Sequence, residues 1–427
     1  MNRIAYLTMG CPKNQVDTDT LVEQIFGAGF GLTEDTETAD AFIINTCCFI
    51  DDAKRESIDV ILQVAKQRKN GSKLIVMGCM GQRYRDDLMS EIPEIDAVFG
   101  VEDFGNILDY VRSELEPGRI RNGNMPEIDT SYGYIKIADG CNRTCSFCVI
   151  PSIRGRFRSY RQELILMKAE KLMERGVKEI ILIAQDITGY GKDLKKNIDL
   201  SSLVGKIASI DGDFWIRLLY LYPAGVTEEL IDVIAGNNKV CSYFDIPVQH
   251  SENDILRSMR RGHTKDDIKL TIENIRKKIP DAALRTALIV GFPGETDEHF
   301  EGLKRFVIET KFDRLGVFKY SAQENTPAFA LEGQVPEEIK EERYDEIMRI
   351  QSEISLKKNL ELVSKQFRAF IDDIDGDSGI GRLYSHAPEI DGVVLIKDCP
   401  MELKGNFSNV RITDAYEYDL IGEIIDD

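Results

Sequence analysis

What this chain of 427 residues is short of narrows its class first. It has no run of about eighteen apolar residues, so no membrane-spanning helix is expected. Its opening, from Met1 to Leu7, lacks the length and composition of a secretory signal, and a cytoplasmic location is expected. Positive charge is in deficit: 54 Lys and Arg stand against 73 Asp and Glu, a net charge of −19. General affinity for nucleic acid depends on clustered cations and is not expected, although a local basic groove stays open. Internal repeats and low-complexity tracts are missing. So are a nucleophile triad, a phosphate loop, a metalloprotease motif and any motif that pairs carboxylates for acid–base catalysis. What is present fits a globular protein with a real core, 43% apolar and 30% charged. The length suits two or three domains of about 100–200 residues each. Nine cysteines, an odd number, suggest metal or redox chemistry more than a disulfide framework.

Three segments emerge. In residues 1–124, short apolar runs at Ile4–Met9, Ala41–Thr46, Lys73–Gly78 and Ala97–Gly100 alternate with helical patterns at Thr18–Gly29, Ala53–Arg68 and Arg83–Ile92. That alternation predicts an open parallel α/β sheet. Asn122–Ser131 is polar and reads as a linker. Residues 132–365 carry six strand candidates: Tyr134–Asp139, Glu179–Gln185, Trp215–Leu221, Tyr243–Gln249, Leu284–Gly291 and Leu315–Tyr320. Helical stretches such as Gln162–Arg175 and Asp266–Lys278 separate them. Six β/α units predict a partial, open barrel, reactive at the C-terminal ends of its strands. The segment closes on a helix from Pro336 to Lys365, with Ile347, Ile350 and Ile354 on one face; Pro336 suits its first turn. Residues 366–427 carry strand patterns at Phe367–Asp372, Gly392–Ile396 and Phe407–Thr413, and predict a small β-barrel. The fold class is therefore α/β with a C-terminal β-barrel.

Cys141, Cys145 and Cys148 are the sharpest signal, three thiols in eight residues just past the first barrel strand. They can grip one face of an iron–sulfur cube. Full thiolate ligation takes four Cys, so one iron would stay open to a small ligand. Zinc on three Cys and a distant His is the alternative; only His250, His263, His299 and His386 could complete it. In the first domain, Cys11, Cys47 and Cys79 each follow the end of a strand. In a parallel sheet those ends share one edge, so the three can converge; three buried core cysteines are the other reading. Cys48 could replace Cys47, but adjacent side chains of an extended chain diverge. Cys241 and Cys399 stand alone and read as structural.

On these residues the chain resembles the radical S-adenosylmethionine (SAM) enzymes, and within them the methylthiotransferases. The likeness spans the chain: Gly10-Cys11-Pro12-Lys13-Asn14, Asn45-Thr46-Cys47, Gly78-Cys79, the Cys141–Cys148 motif and Pro151–Arg156 after it. It implies an N-terminal cluster domain, a radical SAM barrel and a C-terminal TRAM domain. One branch of the family modifies adenosine in transfer RNA, the other an aspartate of ribosomal protein S-twelve. The first usually shows Gly-Cys-Gln-Met-Asn at its first Cys. Gly10–Asp17, Cys48–Ile50, Trp215–Pro223, Asp245–His250 and His386–Gly392 are similar to the second. The third segment, with five basic and fourteen acidic residues, would repel phosphate and suits a basic ribosomal protein; solubility alone is the other reading of that charge. Asp372, Asp373, Asp375 and Asp377 form its densest acidic run and are expected in an exposed loop.

The resemblance implies two 4Fe-4S clusters and SAM as cofactors. One cluster would sit on Cys141, Cys145 and Cys148 and yield a 5′-deoxyadenosyl radical that takes hydrogen from the β-carbon of the aspartate. The other, on Cys11, Cys47 and Cys79, would present the sulfur. Leu288–Glu295 resembles the adenine-side loop, which makes Gly291, Gly294 and Glu295 candidate SAM contacts, beside Gln185 at a strand end and Phe147 within the Cys loop. A turn into the following helix is an equal reading of the glycines, and a hydrogen-bonded structural role is the better reading of His250. The implied partners are ribosomal protein S-twelve and an electron donor such as a flavodoxin or ferredoxin, with no membrane and with nucleic acid unexpected as substrate. A transfer-RNA methylthiotransferase and a non-catalytic iron–sulfur electron carrier are the rival readings.

Overall fold

A computed structural model of the chain describes residues 2–117, 131–195 and 198–425. The expected linker, Asn122–Ser131, lies outside the described residues except for Ser131.

The first sheet contains β1 (Arg3–Thr8), β2 (Gly31–Leu32), β3 (Ala41–Thr46), β4 (Lys73–Gly78) and β5 (Ala97–Val98), all parallel, in the order β2-β1-β3-β4-β5. All six residues of β3 are buried, because helices cover both faces of such a sheet. Phe42, Ile44 and Val76 pack on one side with Ile61, and Ile4, Ile43 and Ile75 on the other with Leu21 and Ile25. The helix Phe104–Glu114 and the two-residue β2 were not expected; the first shows only Ile107 and Val111 as a buried stripe, and the second is too short to alternate. The direction of strand order reverses between β1 and β3. Their loops leave to opposite sides and open a crevice at the sheet's C-terminal edge.

The central segment is an arc of six parallel strands: β6 (Tyr132–Lys136), then β9 (Glu179–Ile183), β10 (Trp215–Leu218), β11 (Tyr243–Asp245), β12 (Ala283–Val290) and β13 (Arg314–Lys319). A bridge from Ile216 to Val240 and a bond from Leu221 N–H to Asp245 O join its two halves. Strand parity sorts the side chains: Ile180 and Leu182 meet the outer helices, while Ile181 and Ile183 line the lumen with Trp215 and Tyr243. The first barrel strand ends earlier than expected. After Lys136 the chain leaves the arc for a small antiparallel ribbon, β7 (Ala138–Asp139) with β8 (Arg158–Ser159), and the Cys141–Cys148 loop hangs between its arms. The long helix runs over Glu337–Leu360, with Pro336 as its N-cap rather than within its first turn.

Five strands close the last barrel: β14 (Gln366–Asp375), β15 (Ser378–Leu383), β16 (Val394–Lys397), β17 (Phe407–Ala415) and β18 (Leu420–Ile424), in the order β14-β15-β16-β18-β17. Three of the four aspartates expected in a loop, Asp372, Asp373 and Asp375, lie instead in β14, where buried Ile371 and Ile374 hold the strand. This barrel closes the N-terminal end of the central arc. Glu179, first in β9, accepts from Arg217 Nε at 2.5 Å and from Arg382, and Arg382 also reaches Asp372 at 2.8 Å. Arg314, first in β13, donates to His386 Nε2 at 2.7 Å, and Trp215 meets Phe407 edge-on, ring centroids 4.8 Å apart.

Candidate functional site

The opposite, C-terminal end of the arc faces the C-terminal edge of the first sheet. Cys11 caps the helix Pro12–Gly27 after β1, Cys47 follows β3, and Cys79 opens the helix Cys79–Arg83 after β4. Three adjacent strands thus deliver three thiols to one edge. Gly10 makes the approach possible: with φ +91°, a Cβ there would stand 2.6 Å from the Cys47 Cβ and 2.9 Å from its sulfur. Cys48 is wholly buried and turns into the core, where Arg83 lies near it. Cys241 is buried beside Arg217, and Cys399 is buried in the core of the last barrel.

Arg154 links the two thiol sets. It lies on the short helix Ile150–Arg154 that follows Cys148, and its side chain is 2% exposed. Its Nη2 donates to Asn14 Oδ1 at 2.7 Å and reaches the Cys79 sulfur at 3.8 Å. Its Nη1 pairs with Asp17 at 3.0 Å and Asp139 at 3.1 Å. Lys136, at the end of β6, pairs with the same two carboxylates. A second contact ties the domains on the far side of the crevice, where Arg83 Nη1 donates to Gln323 Oε1 at 3.0 Å.

Around the other trio, Arg261 Nη1 donates to the Cys145 sulfur at 3.5 Å, and the Arg143 N–H donates to Cys141 at 3.4 Å. Tyr222 lies between the guanidinium groups of Arg143 and Arg261, 3.5 and 4.5 Å from its ring. Burial pushes the thiols of Cys79 and Cys148 up to about 12 and raises Cys47 and Cys141, so as free thiols these four are neutral. A bound metal would deprotonate them outright. Among the described residues no three Cys, His, Asp or Glu close on a point that one metal ion could occupy. A cube carries a separate iron at each corner and takes each thiolate on its own metal, which both trios suit.

The expected SAM contacts divide. Gln185 stands just past β9, and neither its Oε1 nor its Nε2 has a partner although both are buried. Such an amide is poised for a ligand. Phe147 meets Phe292 edge-on at 6.4 Å in a small apolar cluster with Met259 and Ile289. Glu295 is bonded within the protein: it accepts from Arg343 of the long helix at 2.8 Å and from the Gly291 N–H at 3.0 Å, so its charge is matched by that helix and its own loop. What approaches Gly291 closely is the Lys340 side chain of the long helix, 2.2 Å from where a Cβ would lie. Gly294 has open space around it, and its N–H bonds Gly333 O at 2.9 Å. His250 is buried, accepting on Nδ1 from the Glu252 N–H, with Nε2 3.4 Å from Glu295. Arg154, Lys13, Arg261 and Tyr222 escaped the sequence reading as site residues. Their signal was membership of the quoted motifs: Arg154 in Pro151–Arg156, Lys13 in Gly10–Asn14, Tyr222 in Trp215–Pro223. Arg261 lies in none.

An arc of six parallel strands with a three-cysteine loop at its mouth defines the radical SAM class, and the Radical SAM superfamily model matches residues 135–307. An uncharacterized protein family, UPF0004, matches residues 3–100, and the TRAM domain matches 363–425. The ribosomal protein uS12 methylthiotransferase RimO of Thermodesulfovibrio yellowstonii is 50% identical over 427 residues, covering 100% of each chain. That of Aquifex aeolicus is 46% identical over 98% of this chain and 96% of its own. Among solved structures, the radical S-adenosylmethionine methyltransferase TsrM from Kitasatospora setae, with cobalamin and a 4Fe-4S cluster bound, shares the fold: TM-score 0.57, 14% identity, 77% of each chain covered. The chain belongs to the RimO family of methylthiotransferases.

Proposed function

We propose that the chain replaces one hydrogen on the β-carbon of an aspartate in ribosomal protein uS12 by a methylthio group. It is an enzyme of the radical SAM methylthiotransferase family. Its cofactors are SAM and 4Fe-4S clusters, which when bound supply a carbon-centred radical and the sulfur to be transferred. Cys141, Cys145 and Cys148 would hold the cluster that meets SAM, and Cys11, Cys47 and Cys79 the other. Arg261 and the Arg143 N–H would stabilise sulfur charge at the first trio, and Arg154 at the second. Gln185 would take a polar group of SAM, and Phe147 would wall the mouth beside it. Electrons would come from a small carrier such as a flavodoxin or ferredoxin.

One observation carries the reading. The helix that follows Cys148 carries a buried arginine that reaches Cys79 of the other trio, so a substrate carbon held between the trios would lose hydrogen to one side and gain sulfur from the other. The transfer-RNA alternative is less well supported, since the relatives are named for uS12 and the third domain is acidic. Mass spectrometry of uS12 and of transfer RNA from cells with and without the protein tests this. The expected result is a methylthio gain on uS12 only; a gain confined to transfer RNA would overturn the reading.

A further inference from the structure

Most buried cations of this protein have an anion; Arg314 at the closed end is bonded to His386, a backbone carbonyl and an amide instead, and one cation at the mouth has no carboxylate. Lys136 and Lys340 are buried lysines with carboxylate partners, and buried Arg154, Arg217, Arg343 and Arg382 have theirs. Lys13 is 8% exposed, yet among the described residues no carboxylate lies within ion-pair distance of its Nζ. Instead the ammonium sits 3.3 Å from the centroid of the Tyr220 ring. An attractive ring face offsets only part of what burying a charge costs.

Its surroundings say where that charge points. Lys13 lies one helical turn before Val16, which packs with Ile181, Ile183 and Leu219 of the barrel lumen. The helix Pro12–Gly27 therefore lays this face over the barrel, and Lys13 enters beside the loop after β10. Tyr220 is held there in the left-handed region, φ +67°, with its N–H donating to the Asp245 carboxylate at 2.9 Å. A non-glycine residue keeps that conformation only where its surroundings enforce it. A further polar group of the lumen, the Tyr134 hydroxyl near Tyr220, is buried without a partner. A cation whose acidic neighbours are the Cys11 thiol and the Tyr220 phenol, with no carboxylate beside it and with the Tyr134 phenol unpartnered nearby, makes a lining complementary to a carboxylate.

We propose that Lys13 binds the side-chain carboxylate of the acidic residue on the protein substrate and so fixes the neighbouring carbon between the two thiol trios. This rests on the proposed function. The carboxylate of SAM is the other possible source, but Lys13 comes from the sulfur-side domain, next to Cys11, whereas SAM belongs with Cys141, Cys145 and Cys148. Lys13 is a specificity-determining residue in this account. A carboxamide of the same shape would offer no charge and would be rejected.

The test uses the full-length, cluster-loaded protein and two synthetic peptides, one carrying the target aspartate of uS12 and its flanks, the other with asparagine at that position. Wild type should bind the aspartate peptide about tenfold or more tightly than the asparagine one. Lys13→Met should erase that preference and Lys13→Arg should keep most of it, with iron content and SAM affinity held near wild type. Lys13→Gln serves if the Met variant does not fold. A variant without the cation that still prefers aspartate overturns the proposal. So does one whose loss is explained by weakened SAM binding or by lost iron, which would make Lys13 a cofactor residue. If wild-type enzyme modifies uS12 while these variants keep their preference, only this inference fails. If wild type binds neither peptide and modifies transfer RNA, the proposed function itself is wrong and the inference falls with it.

Discussion

The two ends of the central barrel treat buried charge in opposite ways. At the N-terminal end Glu179, Arg217, Arg382 and Asp372 form one connected network, and Arg314 meets His386. The last barrel lies over all of it. At the C-terminal end Lys13 has a ring in place of a carboxylate, Gln185 and Tyr134 have no partners, and six buried or half-buried thiols stand in two sets of three. Charged groups that serve only the fold find most of their partners within it, Arg217 Nη2 and Arg314 Nε being left over, because an unmatched group destabilises it. Groups left unmatched at one end mark where ligands complete the pairing.

The largest effect should come from the thiols. Replacing Cys141, Cys145 and Cys148 by Ala should abolish SAM cleavage and cut iron from about eight to about four per chain. The triple Ala variant at Cys11, Cys47 and Cys79 should also lose about half the iron, still release 5′-deoxyadenosine and make no methylthiolated product. Iron assay and product chromatography check both; full iron retention in either variant would break the assignment of that trio.

A paired substitution sharpens the contrast. Glu179→Gln leaves Arg217 without an anion and Arg382 with Asp372 alone, and should cost about 3–5 kcal/mol in urea unfolding. Gln185→Leu removes an amide that bonds nothing, so the cofactor-free protein should change by less than about 1 kcal/mol while SAM binding weakens. Equal stability losses at the two sites would erase the distinction between the ends.

His386 supplies a pH test. Burial, then the charge of Arg314, Arg217 and Arg382, holds its pKa well below the usual value. The folded protein keeps it neutral, whereas the unfolded chain takes up a proton below about pH 6.5. Its contribution is complete above that pH and is lost as pH falls, amounting to about 2 kcal/mol by pH 5. Unfolding free energies at pH 7 and 5 should differ more for wild type than for His386→Gln.

The smallest effect concerns the acidic third domain. From Glu179 to Gln185 the strand rises about 20 Å, so charge at the closed end lies well beyond the ~8 Å screening length at physiological salt. Reversing Asp373, Asp375 and Asp377 to Lys should slow uS12 capture only at low salt. Asp372 is unsuited to that experiment, because its carboxylate holds Arg382 and the Ser131 hydroxyl. Strong slowing at physiological salt would give the closed end a part in recruitment.

Local pattern explains what was legible in advance. Strand-then-helix alternation leaves little choice but parallel sheets, and a cysteine after each of three strands falls on one edge whatever the loops do. The acidic run from Asp372 was misread because its charges hid the buried Ile371 and Ile374 of a bulged strand. The docking of the last barrel was not legible at all. Glu179, Arg217 and Arg382 are far apart in sequence, and nothing local to any of them announces the others. Lys13 and Arg154 lay in plain view within motifs, but their burial and their partners are tertiary facts. The loop at Gly291 to Glu295 shows the reverse: its residues look like ligand contacts in sequence, yet much of their bonding is internal.

The clasp formed by Asp17, Asp139, Lys136 and Arg154 has one more consequence. The first and central domains both contribute to it, it is buried, and its arginine reaches Cys79 of one proposed centre while its helix follows Cys148 of the other. The molecule is thus built like a spark gap, with electrodes at a set separation, rather than like a crane that swings cargo from one station to the next. Turnover would then be paced by a guest chain threading in and leaving. Insertions that lengthen the connection between the domains would be tolerated far better than a one-methylene change at Asp17.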